Sequence, residues 1–205
     1  MAKTTKTNAR ITVEELWKIY KGQKSANRVS TIFNLKRRQG SGAANWNGFI
    51  FEALIHKLLV DESIALECIF VNRSLALIPD TKYDLLLCSI EPETGRQIPI
   101  CLSLKTSLRE RYKQAEREGM IAKQVHRGSV TALLTMDARE VAHKRHRLYG
   151  LDHIVDCNDA SELEKFVRLI RDLKPIPRPE IRDLGPLISE SGKEANAREP
   201  QKKRT

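Results

Sequence analysis

Asp84 and Lys105 are the residues whose types and setting point to chemistry. Asp84 opens the apolar run DLLLCSI, Lys105 closes the run IPICLSLK, and Glu91-Pro-Glu-Thr-Gly-Arg96 between them reads as a hairpin connection. A cationic segment with helical spacing, TSLRERYKQAEREG, follows at once. Acid, strand, hairpin, strand, lysine, helix is an order that can hold a hard metal ion against a phosphodiester. Hydrolysis of that bond needs a hard cation, an activated water and cancellation of developing negative charge. Magnesium takes oxygen ligands and keeps several waters, so one or two carboxylates can hold it. The ion lowers the pKa of a bound water, and a neighbouring lysine can orient that water or stabilise the transition state.

Asp84 heads its strand, so its carboxylate belongs at the edge or mouth of a sheet. Ser103 and Lys105 are two apart in one strand and share a face. A lysine in the company of Leu102 and Leu104 is partly desolvated and wants an anion; a strand-end lysine reaching for solvent is the ordinary alternative. Asp80 rivals Asp84, but it falls in a turn, where aspartate needs no function.

The elements that must position these residues follow from periodicity. Residues 1–10 read as a loose basic arm, and Thr12-Val-Glu-Glu15 as a capping box before a short stripe of Leu16, Ile19 and Tyr20. Helices are predicted over 26–38 and 43–60, the latter with Phe49, Leu54, Ile55, Leu58 and Leu59 apolar and Glu52 set among them. Strands are predicted over 66–71, 83–90 and 97–105, then an amphipathic helix over 107–126, loosened at Gly119. A strand over 129–135, a helix over 137–148, a short strand at Ile154-Val155 and a helix capped by Asp159 complete the order. The sum is an α/β fold, a mixed central β-sheet flanked by helices on both faces. Residues 1–42 form an N-terminal region suited to dimer or DNA contact, 43–174 the core, and 175–205 a proline-rich, basic, flexible tail.

The 205 residues suit one domain, and the formal net charge of +10 favours an anionic partner, nucleic acid first. Arg109, Arg111, Lys113 and Arg117 alternate with the apolar stripe of their helix and could track phosphates. Lys36-Arg37-Arg38 and Lys144-Arg145-His146-Arg147 are similar runs, for which a solvated face is the ordinary reading. The four cysteines, with no CxxC pair, read as reduced core residues of a cytoplasmic protein. No apolar run nears the ~20 residues that span a bilayer, so no membrane association is expected, and the basic N-terminus lacks the apolar stretch of a secretory signal. His143, His146 and Cys157 have poor zinc-ligand spacing.

In this set the sequence resembles the PD-(D/E)xK superfamily, and type II restriction endonucleases within it. GFIFEALIHKLL offers Glu52, KYDLLL offers Asp84, CLSLKTS offers Ser103 and Lys105, and TSLRERYKQAEREG is similar to the segment after the lysine in several of these enzymes. The resemblance implies a Mg²⁺-dependent endonuclease of double-stranded DNA, acting as a homodimer and accompanied by a cognate DNA methyltransferase. Asp84 would bind metal, Lys105 would act on the attacking water, and Glu52 would assist, unless it is merely a helix glutamate paired with Lys57 or Arg73. Ser103 departs from the acid-x-Lys pattern. Some members with serine there recruit a glutamate from the next helix, which implies Glu116 or Glu118 as a further metal ligand, Glu116 being favoured. A repair or junction nuclease of the same fold, or a non-catalytic DNA-binding protein with a decayed site, are the rival readings.

Overall fold

The central strands are apolar at consecutive positions because helices cover both of their faces. The computed structural model describes residues 2–38, 44–75, 78, 80–91, 93–108, 111–144, 149–177 and 188–189. Three helices come first: α1 (Ala2–Ile19), α2 (Ser25–Arg38) and α3 (Ala44–Asp61). The strands β1 (Phe70–Leu75), β2 (Lys82–Ile90) and β3 (Gln97–Lys105) follow, then α4 (Tyr112–Val125) and β4 (Val130–Thr135). The order closes with α5 (Ala138–Lys144), β5 (His153–Asp156), α6 (Ala160–Asp172) and β6 (Ile188–Ser189). The sheet runs β5-β4-β3-β2-β1-β6. β3, β4 and β5 are parallel, whereas β3, β2, β1 and β6 are successively antiparallel. This is the mixed sheet with helices on both faces that the sequence predicts.

Alternate residues of each central strand go to opposite layers. Leu85, Leu87, Ile100, Leu102, Leu104, Ala132 and Leu134 pack with α1, α2, α3 and α6 in the main core. Leu86, Cys88 and Cys101 meet Ala122 of α4. Leu133 and Ile154 meet Tyr112 and Ala115 of α4 and Val141 of α5. All four cysteines are free and buried. Among the described residues no helix is long and apolar enough to cross a membrane.

The structure revises several expected boundaries. The described part of the N-terminal arm is helix: α1 runs unbroken through Thr12, so the capping-box pattern lies mid-helix. The cause is the i, i+4, i+8 stripe of Ala9, Val13 and Trp17, all buried in the main core, whereas Ile19 is exposed. The strand expected at 66–71 is a 3₁₀ turn at Leu66–Cys68, and pairing with β2, Phe70 opposite Leu86 and Ser74 opposite Lys82, shifts the strand to Phe70–Leu75. α4 begins at Tyr112; ahead of it the Leu108 N–H donates to the Asp137 carboxylate at 3.1 Å and the Leu108 side chain is buried. Gly119 does not loosen α4; a Cβ there would lie 2.1 Å from the Gly150 carbonyl oxygen, so glycine permits the close approach. Ile188 and Ser189, from the stretch expected to be flexible, pair with Leu75 and Ser74. Residues 190–205 lie outside the described residues.

Candidate active site

The candidate site arises where the ladder between β2 and β3 stops. Backbone pairing holds from Ile90–Gln97 to Leu85–Leu102, and one step further brings Asp84 level with Ser103. There the Leu104 N–H donates not to a strand carbonyl but to Asp84 Oδ2, at 2.6 Å. The same oxygen accepts the Lys105 ammonium at 2.9 Å. Lys105 is only 7% exposed, so this carboxylate is the counter-charge beside it, while the Asp84 side chain keeps 27% of its surface. A buried cation is thus held at the mouth of the strands by a half-open acid.

Both residues line a cleft of about 210 Å³, with Asn45 and Glu52 from α3, Asn72 from β1 and Arg111 just before α4. Glu52 pairs with Lys6 of α1; Lys57, one of the two partners that the ordinary reading offers, pairs with Glu14. Burial raises the Glu52 pKa; Lys6 counteracts this, and the neighbouring Asp84 charge adds to the rise. The two carboxylates therefore feel one another across the cleft.

Ser103 and Glu118 form a second cluster behind the first. The Ser103 hydroxyl donates to Glu118 Oε2 at 2.6 Å, and Gln114 Nε2 donates to Oε1 at 2.7 Å. The Tyr83 hydroxyl donates to the Glu118 carbonyl at 3.1 Å, and burial pushes its phenol pKa up, keeping it a neutral donor. Glu118 is buried and Glu116 half-buried. The preference for Glu116 therefore shifts: Glu118 is the glutamate set against Ser103. The start of α4 at Tyr112 sets the phase, with Ala115, Glu118, Gly119 and Ala122 on its buried side.

The remaining expected residues scatter. Arg111 enters the cleft. Lys113 and Arg117 are exposed on α4, and Arg109 lies outside the described residues. Asp80 is exposed in the turn before β2 and takes no part in the cleft wall. Sequence reasoning missed Asn45 and Asn72, which no local pattern marks. It also missed a polar cleft of about 560 Å³ that begins just past Lys105, at the C-terminal ends of β3 and β4. Arg37, Arg139 and His143 line it, and the Asp137 carboxylate in its wall is occupied by the Leu108 and Glu140 amides.

Among the described residues no three acidic, histidine or cysteine side chains converge to cage a metal. Asp84 and Glu52 share one cleft, however, and two carboxylates suffice for a hard cation that keeps most of its waters. That donor set fits a hard divalent cation. Glu118 stands apart, with both oxygens already bonded.

No family model matches the chain, and no curated protein matches its sequence. Two solved structures are similar to it. One is the restriction endonuclease PspGI in complex with substrate DNA, 16% identical, with a TM-score of 0.45, covering 80% of this chain and 69% of that one. The other is the type IIP restriction endonuclease Kpn2I, 15% identical, with a TM-score of 0.41, covering 83% and 72%.

Proposed function

We propose that the protein is a Mg²⁺-dependent, sequence-specific endonuclease of double-stranded DNA, of the type II restriction kind. The observation that carries this reading is the buried Lys105 ammonium held on Asp84 in a cleft that also contains Glu52. A divalent ion bound by Asp84 and Glu52 would supply an acidified water and a counter-charge for the phosphate. Asp84 fixes the lysine and keeps Oδ1 clear of the two bonds that occupy Oδ2. Lys105 would place its ammonium where a pentavalent phosphate develops negative charge. Ser103 holds Glu118 behind this pair, where it would act as a buried neighbour of the site.

Arg111 in the first cleft, and Arg37 and Arg139 in the polar cleft beyond Lys105, form a positive path for a nucleic-acid strand. A homodimer suits the two-fold symmetry of a duplex, and a cognate methyltransferase follows from the restriction reading. Incubating the purified protein with plasmid and phage DNA, in Mg²⁺ and in EDTA, tests the reading. Discrete fragments that require Mg²⁺ support it. A smear or nicking indicates a repair-type nuclease, and a salt-sensitive gel shift without cleavage indicates a binding protein.

A further inference from the structure

We propose that Asn72 is a positioning residue: its left-handed backbone opens the β1–β2 ladder opposite Asp84 and sets the carboxylate that holds Lys105. Asn72 has φ +52°, and it is a residue of β1. Such a conformation interrupts a strand, and asparagine tolerates it better than any residue with a branched Cβ. β1 pairs with β2 at Phe70–Leu86 and Val71–Leu85, then again at Arg73–Tyr83 and Ser74–Lys82. The register step left out is Asn72–Asp84.

Both strands exchange faces at that step. Val71 and Leu85 pack into the main core under α1–α3. Leu75 and Tyr83 pack into the opposite cluster. Residues two or four apart in a regular strand share a face, so the chain turns over at Asn72 and at Asp84 together. On the other side the β2–β3 ladder ends at Leu85–Leu102, and the Leu104 N–H goes to the Asp84 side chain. Asp84 is thus released from both neighbours at one level and projects into the cleft. The cost of the left-handed residue is borne beside the charged pair, a placement typical of functional sites. No local sequence pattern around Asn72 announces it.

The inference rests on the proposed function only for its effect on cleavage; its structural content is tested without it. Full-length Asn72→Gly, Asn72→Ala and Asn72→Val are compared with wild type by the NMR signals of the Leu104 amide and the Lys105 side chain, and by cleavage rates in Mg²⁺. Asn72→Gly, which accepts positive φ, is expected to leave both signals in place. Asn72→Val is expected to move both signals and lower kcat by about 10-fold or more at little change in KM, as the Asp84–Lys105 pair is misplaced. Asn72→Ala moves the same signals less, and decides the matter if the valine variant does not fold. Wild-type Leu104 and Lys105 signals in folded Asn72→Val, or in Asn72→Ala where the valine variant fails, would overturn the proposal. If wild type itself does not cleave DNA, the endonuclease reading fails while the NMR signals still decide the role of Asn72.

Discussion

Asp84 Oδ2 accepts two donors at once, the Lys105 ammonium at 2.9 Å and the Leu104 amide at 2.6 Å. The second bond locks the carboxylate to the end of β3, so the lysine is aimed by the same strand that carries it. A charged pair fixed in this way needs little reorganisation during a reaction, which is how preorganised electrostatics lower barriers.

Glu118 and Glu116 should separate cleanly on substitution. Glu118→Ala strands the buried Ser103 hydroxyl, at a cost of about 1–3 kcal/mol. Glu116→Ala at a half-buried site should stay within about 0.5 kcal/mol. Urea unfolding measures both, and cleavage assays on the folded variants should show the larger loss for Glu118. Equal behaviour of the two variants would remove Glu118 from the site.

Arg37 and Arg139 should contribute to DNA binding through charge alone. With EDTA present to prevent cleavage, Arg37→Gln and Arg139→Gln should each reduce the slope of log affinity against log salt by about one unit. Fluorescence anisotropy with a labelled duplex gives that slope. An unchanged slope in both would place the DNA elsewhere than the polar cleft.

Gly119→Ala should destabilise by about 1–3 kcal/mol, because its Cβ would meet the backbone of Gly150, which cannot swing aside. Gly128→Ala is the control, since a Cβ there meets nothing within 4 Å. Thermal melts of the two variants should differ clearly; matched melts would mean that the contact between α4 and Gly150 yields easily.

Asp152 ties β4 to β5 by accepting the Thr131 N–H at 2.9 Å and pairing with Lys123. Burial pushes its carboxyl pKa upward, but the bonds from Lys123 and Thr131 outweigh it and leave the pKa below the ordinary aspartate value. A folded pKa below the unfolded one contributes stability that is present above the unfolded value and lost as pH falls through the folded one. Asp152→Asn should therefore be less stable than wild type at pH 7 by about 1 kcal/mol, given its partial exposure. The gap should close in urea melts taken below the ordinary aspartate range. A gap independent of pH would show that the charge of Asp152 is not what matters.

Much of the scaffold was legible because its signals are local. β3 is bounded by Gln97 and Lys105 as its apolar run suggests, and Asp159 caps α6 by accepting the Ser161 and Glu162 amides. What escaped were effects of partners distant in sequence. Trp17 and Ala9 declare a helix face only once α3 lies against them, and β1 takes its limits from β2. At the site, the order of Asp84 and Lys105 was readable from strand chemistry. Asn72 was not, because its meaning comes from the register of the neighbouring strand. That Glu118 rather than Glu116 faces Ser103 follows from the phase of α4, which the sequence left open.

The most direct test of the central claim is single-turnover cleavage of plasmid DNA in Mg²⁺ by wild type and Lys105→Ala, matched for fold by circular dichroism and for DNA affinity in EDTA. Wild type should yield discrete fragments, and the variant should bind equally yet cut at least about 100-fold more slowly. Equal cleavage by the two proteins, or none by either, would contradict the assignment of the Asp84–Lys105 pair as the catalytic centre.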